Sequence, residues 1–250
     1  MKLTGNTIFI TGGGSGIGRG LAEALLKLGN QVIISGRRAA VLAEVMAANP
    51  GMKAVELNVE DPASIATVAK KLIVEHPKLN VLINNAGIMT PDGAQGVVDD
   101  GVVASIVATN LLGPIRMTSA LIEHLKQQPS AAVINVTSGL AFIPLAMTAT
   151  YSATKAAMHS YSLSQRYLLK DTSVRVLELA PPYVQTELMG PQQQSDPRAM
   201  PLKEFIDETI EVLGTDADEV LVKRVGFLRD ETGRGDLAFT AKFNDMMVGH

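Results

Sequence analysis

Two periods of apolar residues alternate along the chain. Short runs rich in β-branched residues occupy 7–10, 32–34, 54–57, 81–83, 132–136 and 174–179. Longer segments with helical spacing occupy 16–28, 39–48, 62–75, 102–126 and 154–170. A strand with one face in water would alternate apolar and polar side chains. These runs are nearly apolar throughout, so the sheet they form is covered on both faces. Repeated strand–helix alternation demands right-handed crossovers and parallel neighbours. The expected fold is therefore α/β, a doubly wound parallel sheet of Rossmann-like type. A chain of 250 residues makes a single domain of this kind, spanning 1–250. Residues 181–201, rich in Pro and Gln, interrupt the pattern as a loop, and 216–250 follow neither period.

Composition narrows the chemistry. With no cysteine, disulfides, thiolate metal sites and cysteine nucleophiles are excluded. The four histidines, His76, His124, His159 and His250, lack metal-ligand spacing, so no metal is expected. A net charge of −3 offers no footprint for nucleic acid or an anionic membrane. The first residues are too polar for a secretory signal. Residues 127–154 carry no charge, a length that could cross a bilayer, but Pro129, Asn135, Gly139 and Pro144 within them fit a buried strand and loop better. No membrane association and a cytoplasmic location are expected.

The first apolar run leads into Thr11-Gly12-Gly13-Gly14-Ser15-Gly16-Ile17-Gly18, and a helical segment follows. Glycines at such a strand–helix turn let the backbone approach a pyrophosphate, which the free N–H groups and helix dipole hold. Gly18 permits close packing of helix on strand, and Ser15 offers a further contact. The spacing Gly12, Gly16, Gly18 resembles the T-G-x-x-x-G-x-G of the short-chain dehydrogenase/reductase family.

Cofactor choice is read from the second strand end, Ser35-Gly36-Arg37-Arg38. An acidic residue there would bind ribose hydroxyls and favour NAD. Gly36 presents no carboxylate, and Arg37 is placed to bind a 2′-phosphate through paired hydrogen bonds. The charge favours NADP(H), with NAD(H) as the alternative. The resemblance puts Asn58 and Val59 against the adenine, and Asn85, Ala86 and Gly87 of Asn84-Asn85-Ala86-Gly87 beside the adenosine ribose, the asparagines also tying strand ends together.

Tyr151 and Lys155 stand four residues apart, on one face of a helix. A neighbouring ammonium is expected to lower the phenol's pKa, so that it can give a proton to a carbonyl oxygen or take one from an alcohol. Ser138, thirteen residues before Tyr151, ends the fifth strand; its neighbour Thr137 is out of motif register. The resemblance implies that Ser138 hydrogen-bonds the substrate oxygen. It further implies that Asn110 holds a water in a proton path and that Lys155 binds the nicotinamide ribose. The expected catalytic set is Asn110, Ser138, Tyr151 and Lys155. Val184 and Thr186 are expected near the carboxamide, in a P-P-x-V-x-T segment where Pro182 replaces the family's glycine.

Leu140, Phe142, Tyr183, Leu188, Met189, Leu202 and Phe205 are the expected pocket, within 88–91, 140–147 and a substrate loop 183–205. Such walls suit a ketone or aldehyde with an apolar or aromatic body. The resemblance covers roughly 4–186; a seventh strand with a glycine-rich acidic turn, common in the family, is not found in 216–250. A homodimer on the helices near 102–126 and 154–170 is expected, with a homotetramer as the larger alternative. The leading function is an NADPH-dependent carbonyl reductase. Its rivals are an NAD-dependent alcohol or sugar dehydrogenase, a non-catalytic dinucleotide sensor and a nucleotide-sugar epimerase.

Overall fold

The computed structural model describes residues 1–232, 242–243 and 245–246. Seven parallel strands form one sheet: β1 (Thr7–Thr11), β2 (Gln31–Gly36), β3 (Lys53–Glu56), β4 (Leu79–Asn84), β5 (Ala131–Val136), β6 (Val174–Leu179) and β7 (Glu219–Val220). Their order is β3-β2-β1-β4-β5-β6-β7. The chain reverses its winding between β1 and β4, and in open α/β sheets ligands bind beyond the strands' carboxyl ends at that switch point.

Helices α1 (Gly16–Lys27), α2 (Ala39–Ala48), α3 (Pro62–Glu75), α4 (Asp100–Val107), α5 (Gly113–Lys126), α6 (Ala149–Leu168), α7 (Leu202–Leu213) and α8 (Lys223–Asp230) cover the sheet. The core divides by face. Ile8, Ile10, Val32, Ile34 and Ile83 join Leu21, Leu25, Phe205 and Val225 on one side. Phe9, Ile33, Leu82 and Val133 join Val68, Leu72, Met117 and Leu121 on the other. This is why the central strands lack a polar face: successive side chains point to opposite cores.

Three departures from the sequence pattern matter. The helix expected over 102–126 is broken by a π-helical turn, Ala108–Leu112, which carries Asn110. The whole stretch Asp100–Lys126 is long and apolar enough to cross a membrane, yet α5 buries Met117, Leu121 and Leu125 against the sheet core. A seventh strand does exist, Glu219–Val220, and α8 follows it. Two residues are too few to show a period. His250 lies outside the described residues.

Candidate active site

The glycine turn is shaped by contacts that no side chain would survive. Gly12 (φ +69°) and Gly16 (φ +52°) occupy the left-handed region. A Cβ on Gly18 would sit 2.3 Å from the Gly12 carbonyl oxygen and 2.4 Å from Asn85 Nδ2. Ser15 precedes α1 without capping it, and the first turn of α1 has no acidic residue. The positive helix end is left to an external anion. A pyrophosphate fits this cradle.

The tip of β4 is tied to that turn. Thr11 Oγ1 accepts hydrogen bonds from the N–H groups of Asn85 and Ala86, both at 3.0 Å. Asn85 Nδ2 donates to the carbonyls of Thr11 (3.0 Å) and Gly12 (3.1 Å). Asn85 thus spends its amide on bracing the cradle. Asn84 does the same deeper in the sheet, donating to Thr118 Oγ1 and Asn135 Oδ1.

Arg37 leaves the end of β2 with its side chain well exposed and its guanidinium 3.5 Å from Glu60 Oε1. An exposed ion pair of this kind holds little energy, so the guanidinium is available to another anion. Arg38 immediately precedes α2 and its side chain makes no capping bond. Asn58 Oδ1 accepts from the Glu60 N–H, and Asn58 and Val59 follow the end of β3.

The four residues of the expected catalytic set converge. Ser138 opens the turn after β5, its Oγ accepting from the Leu140 N–H at 3.1 Å. Its hydroxyl stands close enough to that of Tyr151 to act on the phenol's pKa. Lys155 Nζ donates to the carbonyl of Val136 at 2.9 Å and lies 5.4 Å from the Tyr151 ring centroid. Asn110 clasps the Ile88 backbone, accepting its N–H at 2.9 Å and donating to its carbonyl at 2.8 Å, and reaches Thr154 Oγ1 at 3.4 Å. A Cβ on Gly87 would lie 3.4 Å from Asn110 Oδ1 and 3.7 Å from Lys155 Nζ, so Gly87 joins the two halves of the site.

The electrostatics correct one expectation. Tyr151 is buried, and desolvation pushes its hydroxyl up to about 12; the nearby Ser138 hydroxyl opposes this only partly. Lys155, equally buried, is pulled down to about 8 by the same effect. Burial disfavours either charged form, so it raises the phenol and lowers the ammonium. The tyrosine is held as a proton donor and the lysine is poised to titrate.

The pocket also needs correcting. Phe205 is fully buried in the core, and Phe142 is buried with it. Leu202 and Phe205 belong to α7, whose apolar face meets α1 at Gly20. The loop therefore ends before Leu202. Ile88, Met89, Leu140, Tyr183 and Met189 are half-buried and Leu188 exposed, as a pocket wall requires. Val184 is buried and bridges to Met200. Thr186 sits against the cradle, its Cγ2 3.4 Å from where a Gly16 Cβ would be.

Sequence reasoning missed two residues that build the site. Asp92 Oδ2 accepts the Thr150 N–H at 2.6 Å, tying a distant loop to the first turn of α6. No local signal marks it. Glu178 is the one fully buried charge of β6, whose other charged residue, Arg175, is half-buried near its start; a carboxylate so deep in an apolar run was a legible sign.

The family model for short chain dehydrogenases matches residues 6–197. The chain belongs to the short-chain dehydrogenase family. It is accordingly an oxidoreductase acting on CH–OH and C=O groups. An uncharacterized oxidoreductase, DltE, of Bacillus subtilis (strain 168) is 41% identical over 236 residues, covering 93% of this chain and 94% of that protein. A short-chain dehydrogenase of Burkholderia cenocepacia J2315, solved in complex with NADP, superposes with a TM-score of 0.84 at 27% identity, covering 97% of this chain and 98% of that one. A 3-ketoacyl-(acyl-carrier-protein) reductase from Brucella melitensis, solved with NADH, gives a TM-score of 0.79 at 27% identity, covering 90% of this chain and 100% of that one.

Proposed function

We propose that this short-chain dehydrogenase reduces a ketone or aldehyde with an apolar or aromatic body, using NADPH. The observation that carries the reading is the meeting of buried Tyr151, Ser138 and Lys155 beyond the carboxyl end of β5. The Gly12–Gly18 cradle would hold the pyrophosphate, Arg37 the 2′-phosphate and Lys155 the nicotinamide ribose. Bound there, the dinucleotide supplies the hydride. The chain's own residues handle the oxygen. Ser138 and Tyr151 donate hydrogen bonds to the substrate carbonyl, and Tyr151 gives up its proton as the oxygen gains charge. Lys155 and a water held near Asn110 return a proton to Tyr151. In reverse the same groups oxidise an alcohol. The wall side chains Ile88, Met89, Leu140, Tyr183, Leu188 and Met189 carry no formal charge, which favours uncharged substrates. The reading places the enzyme in the cytoplasm.

One observation favours NAD(H) instead: the Glu60 carboxylate beside Arg37. Replacing Arg37 separates the two. Arg37→Asp is expected to weaken NADPH binding by roughly 10- to 100-fold, the worth of a charge-assisted hydrogen bond, and to leave NADH within about threefold. Fluorescence titration with each dinucleotide reads this. Equal losses for both would remove the NADP assignment.

The reading includes a homodimer or homotetramer. Leu163, Tyr167 and Leu168 of α6 are exposed, and a second copy would cover them. Light scattering is expected to give at least twice the chain mass of 26.5 kDa; a monomer at micromolar concentration refutes it.

A further inference from the structure

The mechanism proposed above leaves one buried charge unused. Glu178, in β6, is wholly inaccessible to solvent. A carboxylate is costly to bury unless each oxygen is satisfied, and here each is. Oε1 accepts from Thr137 Oγ1 at 2.7 Å. Oε2 lies 2.7 Å from His159 Nδ1, which donates to it. Arg229 of α8 supplies the neighbouring positive charge, held by Glu219 through bonds of 2.9 and 3.1 Å. The His159, Glu178 and Glu219 ligand atoms lie within 4.8 Å of one another, as in a metal site, but that guanidinium already provides the cation.

The two ends of this bridge are what matters. Thr137 is the residue immediately before Ser138. His159 lies one helical turn beyond Lys155 and two beyond Tyr151, on the same side of α6. One carboxylate therefore clamps the strand end that presents Ser138 to the helix that presents Tyr151 and Lys155. We infer that Glu178 is a positioning residue: its bridge from Thr137 to His159 sets the spacing between the Ser138 and Tyr151 hydroxyls. Thr137, Glu178 and His159 are not among the proposed substrate contacts. Their contribution is made through the geometry of the pair that is, and small displacements of reacting groups cost much rate.

The surroundings support a clamp over a simple core filling. α8 packs directly on the turn after Ser138: a Cβ on Gly139 would lie 2.7 Å from Val225 Cγ2 and 2.8 Å from Leu228 Cδ1. Phe142 fills the space between, 5.3 Å edge-on from His159 and 5.1 Å beneath the Arg229 guanidinium. The turn that carries Ser138 is thus held from behind by β6, through the bridge, and by α8.

The inference rests on the tetrad chemistry proposed above, and the experiment separates the two. Thr137→Val and His159→Leu each cut one end of the bridge; Glu178→Gln and His159→Asn keep an atom able to hydrogen-bond at each. Steady-state reduction of a panel of aryl and alkyl ketones with NADPH is measured for wild type, Tyr151→Phe, these four variants and the Thr137→Val/His159→Leu double variant. NADPH affinity and Tm accompany each. Thr137→Val and His159→Leu are expected to lower kcat about tenfold, with KM and NADPH affinity within about threefold, while the two conservative variants keep at least about half of wild-type kcat. The double variant is expected to be no worse than about threefold below either single, because a clamp cut once is already released. A lowered Tm with unchanged kcat, or multiplying losses in the double variant, overturns the inference and leaves the tetrad standing. Full turnover by Tyr151→Phe, or none by wild type on any ketone, overturns the tetrad chemistry and the inference with it.

Discussion

Tyr151→Phe is expected to lower kcat/KM for carbonyl reduction by about 10²- to 10⁴-fold, the usual span for loss of a positioned proton donor. NADPH affinity should stay within about twofold, because the ring and its packing remain. The wild-type pH profile carries the complementary expectation. Lys155, drawn down to about 8 by burial, is an ammonium below that pH and loses its proton above it. Tyr151, raised to about 12, stays protonated throughout the working range. If Lys155 resupplies the proton, kcat/KM for reduction is level below about pH 8 and falls above it as a single group titrates. The fall belongs to Lys155, since the tyrosine's own pKa lies far higher. Stopped-flow or steady-state rates between pH 6 and 10 read both effects. A flat profile, or a Tyr151→Phe enzyme within about threefold of wild type, contradicts the assignment.

Gly18→Ala is expected to be the most damaging small change outside the tetrad. Its added Cβ would meet the Gly12 carbonyl oxygen at 2.3 Å and Asn85 Nδ2 at 2.4 Å. The first is backbone of the cradle itself, and the second is the brace that ties the cradle to β4. Neither can yield without moving α1 away from the turn, which would carry its N–H groups away from the proposed pyrophosphate site. Overpacking of this sort costs about 1–3 kcal/mol of stability. NADPH affinity should fall by about 100-fold or more, as the cradle loses several charge-assisted bonds together. Gly226→Ala is the control: nothing lies within 4 Å of the added methyl, and helix propensity should stabilise α8 by up to about 1 kcal/mol. Calorimetry of NADPH binding to both variants distinguishes a specific clash from a general intolerance of change.

The sequence revealed the sheet through periodicity, and the dinucleotide turn through glycine spacing, because both are local patterns. Tyr151 and Lys155 were singled out by a fixed helical offset and Ser138 by its place at a strand end, whereas Asn110, in a π-helical turn, was named only through the family resemblance. What escaped was set by residues distant in the chain. The start of α6 is earlier than its pattern suggested, because Asp92 caps Thr150 from a separate loop. The π-helical turn at Asn110 interrupts an apolar period that continues across it. Phe205 reads as a pocket residue in a Pro-rich stretch, yet α7 begins at Leu202 and turns Phe205, Ile206 and Leu213 inward together. The expected lowering of the Tyr151 pKa failed because a neighbour's charge can be read from sequence and a neighbour's burial cannot.

A crystal structure with oxidised dinucleotide and an unreactive ketone analogue tests the central claim most directly. The account predicts the analogue oxygen within about 2.6–3.2 Å of both the Tyr151 hydroxyl and Ser138 Oγ, hydrogen-bonding reach for proton transfer. An oxygen bound elsewhere in the cleft, with the Tyr151 hydroxyl turned from it, would contradict that prediction.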